Sequence, residues 1–176
     1  MVGNAAETFL AKYGRVTNVE IPKLILDEAE KRGIDIIDLI ARAINLDPAK
    51  QSKAHLELAE KFLNEGRELI DKDPVQASEK LYKAAEEAVK AMAVALNLEE
   101  AKRAGEVGRW TTQLLFDAVY NASDKLSKKE VKWWWGRAWF LHVEGFHEAR
   151  LRPDQVKRDI PDIESLVNLA KNITGA

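Results

Sequence analysis

Cysteine is absent from the 176-residue chain. Its absence excludes disulfides, thiol catalysis, Cys-ligated zinc and Cys-held iron–sulfur clusters. It fits a reducing compartment, or a hot one where labile thiols are avoided. Histidine is scarce, at three residues: His55, His142 and His147. No stretch approaches the roughly 18 to 20 uninterrupted apolar residues of a membrane span. The opening MVGNAAETFLAKYGR has no signal-peptide core and carries Glu7 early. A cytoplasmic address without a membrane partner is the expectation. The nine glycines are scattered, so no phosphate-cradling loop is visible, and neither is a nucleophile elbow or a Ser-His-Asp arrangement. Charge of one sign is also lacking. With 27 basic and 29 acidic residues the net charge is −2, so only a local patch would draw nucleic acid.

What is present is helical text. Hydrophobic residues make up 46% and charged residues 32%, enough apolar surface to offset the entropy of ordering. Residues 15–21 alternate and are β-branched, which reads as a short strand. Pro22 suits a first helical turn, and Lys31-Arg32-Gly33 reads as a stop. Asp35 caps a second stripe of Ile36, Leu39, Ile40, Ala43 and Ile44, broken at Asp47-Pro48. Residues 1–47 are thus a tail and a small helical hairpin, and residues 48–176 a helical bundle.

Within the bundle, Ala54, Leu58, Phe62, Leu69 and Ile70 mark one long helix from Pro48 to Asp71. Asp73 and Pro74 start the next. That helix is rich in alanine, and Glu79, Lys83, Glu86, Glu87 and Lys90 form a solvated or ion-paired face on it. A short helix spans 99–104. Thr111 or Thr112 caps another to about Ser123. Ser127-Lys128-Lys129-Glu130 reads as a capping box opening a helix through Trp133, Trp134 and Trp135 to about Ala149. Pro153 breaks it and Pro161 starts the last. The fold class is all-α, an antiparallel bundle of about five to seven helices.

Di-iron chemistry needs two carboxylate-x-x-His pairs. Glu144-Gly145-Phe146-His147 is one; Ser52 stands where His55 would need the second. The reading fails. A single zinc held by His142, His147 and a carboxylate stays open as an alternative, on an unremarkable spacing. No metal and no cofactor is expected.

Arg137 and His142 form an Arg-x4-His pattern. A metal-free ribonuclease needs a group that moves a proton between a ribose 2′-hydroxyl and a leaving oxygen, and histidine titrates in the right range. It also needs a fixed cation for charge developing on phosphorus, which arginine supplies. On an α-helix, positions five apart lie about 140° apart, so the two do not stack on one face. The bland alternative is an Arg137 paired with a carboxylate and a hydrogen-bonded His142.

A bundle whose last long helix carries Arg-x4-His resembles the HEPN superfamily. Asp73-Pro74-Val75-Gln76-Ala77-Ser78-Glu79-Lys80-Leu81-Tyr82-Lys83-Ala84-Ala85-Glu86-Glu87-Ala88-Val89-Lys90-Ala91 and Leu141-His142-Val143-Glu144-Gly145-Phe146-His147-Glu148 resemble, more closely, the archaeal PaREP-one family, a HEPN-like group. The resemblance runs from about Ile21 to Ala170. It implies a HEPN-like fold and a homodimer with the motif at a shared cleft. Arg137 would stabilise phosphate and His142 would act as acid/base. Ala138 stands where HEPN ribonucleases usually carry a polar residue. His147 and Glu144 have no role in the ribonuclease pattern, but their nearness to His142 makes them candidates for substrate binding in the same cleft.

Three consecutive tryptophans sweep about 200° of a helix, so at least one should meet a second interface or solvent. With Trp139 they suit a homodimer contact or stacking on an unpaired RNA base. Residues 16–44 also resemble a ribbon-helix-helix DNA-binding unit, although the strand carries only Arg15 as a base. Three readings follow: a HEPN-like domain binding or cleaving RNA, a non-catalytic helical module for a nucleotidyltransferase-type partner, and a DNA-binding regulator.

Overall fold

The computed structural model describes residues 21–175. All its regular elements are helical. The α-helices are α1 (Lys23–Lys31), α2 (Ile36–Ala43), α3 (Pro48–Leu69), α4 (Pro74–Ala95), α5 (Glu99–Val107), α6 (Thr112–Leu126), α7 (Glu130–Phe140) and α8 (Pro153–Thr174), with a π-helix, Leu141–His147, between α7 and α8. No strand occurs among the described residues. Residues 15–20 of the expected strand lie outside them, as does the part of the ribbon-helix-helix reading that rests on it. The chain divides into two units at Arg32/Gly33. In the first, α1 exposes Leu24, Ile25 and Leu26 and pairs Arg32 with Glu28. Helix α2 belongs to the second.

The second unit is built around α4. Helices α3, α5, α6, α7 and α8 and the π-helix all pack against it. Ala77, Ala84, Ala85, Ala88, Ala91 and Ala93 are fully buried. Small side chains let neighbouring backbones approach. Gly66 of α3 extends this: a Cβ there would meet Leu81 Cγ at 2.8 Å. Leu81 itself is fully buried, and burying such a side chain contributes roughly 1.5–3 kcal/mol.

Several helix ends follow the sequence. Asp35, Asp73 and Thr111 accept from backbone N–H groups three residues on, each satisfying an orphan donor. Two expectations are corrected. Ser127 does not cap α7. It lies at φ 53° and closes α6 in the left-handed region, its N–H donating to Asp124 and Ser123 carbonyls. Having served one helix's end it cannot start the next, so α7 begins after Lys129 without a side-chain cap. The last helix starts at Pro153, not Pro161. Gln155 accepts from the Arg152 N–H, and Pro153 needs no donor at a first turn. Pro161 sits inside α8, where Ser165 Oγ donates to its carbonyl.

Helix α2 is held to α3 and α4 by a buried ionic latch. His55 is fully buried on α3. Its Nε2 meets Asp38 Oδ1 at 3.0 Å and its Nδ1 meets Glu87 Oε2 at 2.7 Å. Asp38 also accepts from Trp110 Nε1 and Gln51 Nε2. Lys90 Nζ donates to Asp35 (2.7 Å) and Glu87 (2.8 Å) and lies 2.7 Å from Glu86. Asp35, His55 and Glu87 lie close enough together to hold a metal ion. The lysine ammonium already sits on both of those carboxylates, however, and both His55 nitrogens face carboxylates. The cations of this cluster are therefore Lys90 and protonated His55.

Burial by itself pushes the His55 imidazole down, but hydrogen bonds and charge from Asp38 and Glu87 more than reverse it, to about 9 from 6.5. Burial likewise pushes Asp38 and Glu87 up, yet their cationic and hydrogen-bonding partners hold both below the usual range. The raised imidazole stabilises the fold fully below pH 6.5, and that stabilisation is lost as pH rises through about 9. A shift of this size corresponds to roughly 3 kcal/mol. The two carboxylates contribute stability that is lost on acidification below their usual titration range. Thermal melts of the wild type should show Tm falling across that alkaline window, and His55→Gln should start lower and stay flat there.

Candidate functional site

The segment after α7 changes its hydrogen-bonding pattern. Residues Leu141–His147 form a π-helix, and the Glu148 N–H reaches back to Val143 O at 2.9 Å. An i→i+5 ladder turns less per residue and so draws positions five apart closer together than the about 140° of an α-helix. The expected continuous α-helix to Ala149 is corrected accordingly. Gly145 permits the segment to lie against α4: a Cβ there would overlap Ser78, with its own Cβ only 2.5 Å away.

This local winding joins His142 and His147. Their Nε2 atoms lie 3.1 Å apart. His142 Nδ1 meets Glu79 Oε2 of α4 at 2.9 Å. A carboxylate only accepts, so Nδ1 carries the proton and the Nε2 of a neutral His142 ring is a lone pair. Tyr82 stacks on the His142 ring at 4.1 Å between centroids, and Trp139 closes another side at 5.5 Å. Phe146 lies 6.2 Å away. Burial, then the charges of Glu86 and Glu79, push the Tyr82 hydroxyl far up, so it remains protonated. The His142 plane is thus fixed by a carboxylate and aromatic walls, while His147 is exposed.

Arg137 is directed elsewhere. Its Nε donates to Asp159 Oδ1 of α8 at 2.8 Å, and the guanidinium lies 4.6 Å from the Phe140 ring centroid. Asp159 is buried at 4% side-chain exposure while Arg137 keeps 44%. Burial pushes the Asp159 carboxyl up, opposed by Arg137 and reinforced by Asp162. The polar partners of the Arg-x4-His pair therefore lie on different helices, α8 for Arg137 and α4 for His142. Glu144 pairs with Arg150 at 3.1 Å. Among the described residues no hydrogen bond joins Glu144 to the histidine pair. The tryptophans diverge: Trp135 is 2% exposed and Trp133 66%.

Glu79 and Tyr82 were not singled out as site residues from sequence. Their i,i+3 spacing places them on one side of the alanine-rich helix. The π-helix that gives them a partner has no sequence mark beyond Gly145.

Residues 54–167 match the model of the archaeal PaREP1/PaREP8 family. A crystal structure of a Sulfolobus solfataricus protein is similar at 41% identity and TM-score 0.60, covering 65% of this chain and 94% of that one. A solution structure of the same structural-genomics target, described as an open-reading-frame protein, is similar at 39% identity and TM-score 0.53, covering 69% and 89%. No curated protein matches the chain.

The close approach of Gly145 to Ser78 sets the position of the histidine pair. Gly145→Ala should destabilise the protein by about 1–3 kcal/mol through overpacking, and Ser78→Gly in the same chain should restore part of the loss. Chemical denaturation of the two single variants and the double variant measures both.

Proposed function

The chain belongs to the archaeal PaREP1/PaREP8 family, and from that membership and its oriented histidine we propose a HEPN-like domain that binds RNA and cleaves it without a metal ion. The observation that carries this reading is the 2.9 Å contact of Glu79 with His142 Nδ1. It leaves Nε2 with the lone pair a general base requires, facing the exposed His147 ring 3.1 Å away. In the proposed reaction Nε2 takes the proton of a ribose 2′-hydroxyl. The 2′-oxygen attacks phosphorus, the bond to the 5′-oxygen breaks, and that oxygen takes up the proton from Nε2, restoring the neutral ring. The products are a 2′,3′-cyclic phosphate and a 5′-hydroxyl. Glu79 is a positioning residue. His147, with its exposed ring, would swing aside to admit phosphate and hydrogen-bond it. Trp139 would offer its ring edge to a base. The exposed part of the Arg137 guanidinium would contact phosphate, here in a cleft shared between two copies of the chain.

A non-catalytic helical module, taking a nucleotidyltransferase-type or other protein partner, is the second reading. The Arg137–Asp159 pair favours it, because it already occupies the cation that the ribonuclease pattern would use.

End-labelled, mixed-sequence RNA incubated in EDTA tests the proposal. Wild type should leave cyclic-phosphate ends. His142→Ala should lose about 10²–10⁴-fold in rate, and Glu79→Gln should lower kcat more than it alters KM. Arg137→Ala should weaken RNA binding. An inert wild type, or equal cleavage by His142→Ala, would overturn the catalytic claim and leave the interaction module in its place.

A further inference from the structure

We infer that His142 and His147 form a binding site for one late first-row divalent cation, of which Zn²⁺ is the representative, with Glu79 behind it. Two imidazole nitrogens bound to zinc at about 2.0–2.1 Å in tetrahedral geometry stand roughly 3.4 Å apart. The two Nε2 atoms are 3.1 Å apart in a hydrogen bond; an ion takes the place of its shared proton, with the exposed His147 ring changing tautomer and turning so that both lone pairs meet it. Imidazole is the ligand type that zinc, nickel and copper prefer.

The second shell is already built. Metal-ligating histidines characteristically donate their other ring N–H to a carboxylate, which fixes tautomer and ring plane. Glu79 does this at His142 Nδ1, 2.9 Å away, and the stacked Tyr82 ring holds the plane. Lys83 lies 4.0 Å from the other Glu79 oxygen, leaving the contact with His142 intact. Glu144 and Glu148 flank His147 in sequence, and Arg150 takes both carboxylates. Two ligands from the chain leave the remaining positions to water or to an anionic ligand, so the site is open rather than sealed.

The chain's other histidine does not compete. His55 is fully buried and both of its nitrogens face carboxylates. The inference does not rest on the nuclease reading, since it concerns binding alone. An ion seated there takes the Nε2 lone pair that metal-free cleavage would use, so the two exclude each other at this position.

Calorimetric titration of the full chain, stripped with EDTA and then freed of it, with Zn²⁺ tests the site. One ion per chain is expected. His147→Ala, an exposed substitution whose apo melting curve should match wild type, should weaken binding at least tenfold, as should His142→Ala. Glu79→Gln should weaken it about 10–100-fold. Absence of zinc binding, or binding retained by folded His147→Ala, would overturn the inference. Neither result bears on RNA cleavage in EDTA, which is scored separately.

Discussion

The close approach of several backbones to α4 is the constraint on which the other features depend. An ordinary helix with leucines all round would hold its neighbours at the wider end of helix spacing. The buried alanines of α4 and Gly66 of α3 bring the backbones in. Gly145 then lets a second backbone sit directly on Ser78. Only because that segment is so near can a glutamate as short as Glu79 reach His142. The geometry of the histidine pair is in this sense a packing result, produced by side chains that are small or missing.

One residue type serves two purposes in this protein, separated by environment. His55 lies in the interior, with both nitrogens satisfied by carboxylates, and its charge is part of the structure. His142 has one nitrogen fixed by Glu79 and the other turned to a neighbouring, exposed imidazole. The first arrangement has no unused lone pair. The second has reactive capacity because that neighbour is an exposed ring able to move away. The same contrast applies to the acidic groups. Glu87 and Lys90 were placed by periodicity on a solvated or ion-paired face; the structure makes them ion-paired and buried.

Most of the helical text was legible because the signals are local. Apolar spacing and the caps at Asp35, Asp73 and Thr111 depend on residues within one turn. The misread ends arose where a residue had two local uses. Ser127 could open one helix or close another, and the backbone settled on closing. Pro161 could begin a helix, but Pro153 had already begun it. The site was legible only in part. His142 and His147 stood out, as did the demand that one tryptophan of the triplet be exposed, met by Trp133. The partners of the site histidine and of Arg137 did not stand out, because Glu79 and Asp159 come from helices remote in sequence. His55 was weighed only against an i−3 carboxylate, while its partners lie on α2 and α4.

The π-helix makes the histidine pair a matter of winding as well as composition. The wider π turn is what draws positions five apart toward one another. In plain α-helical winding the same five-residue spacing would hold the two imidazoles about 140° apart, whereas a spacing of four would keep them on one face. The residues beyond the segment would turn with such a rewinding, including Glu148 and the connection to α8. Among proteins of this architecture, the presence of two histidines is therefore a poor guide to a functioning pair. Their spacing, read together with a glycine able to lie against α4, is the better one. A change of winding alone would switch the site off while every residue that composes it is retained.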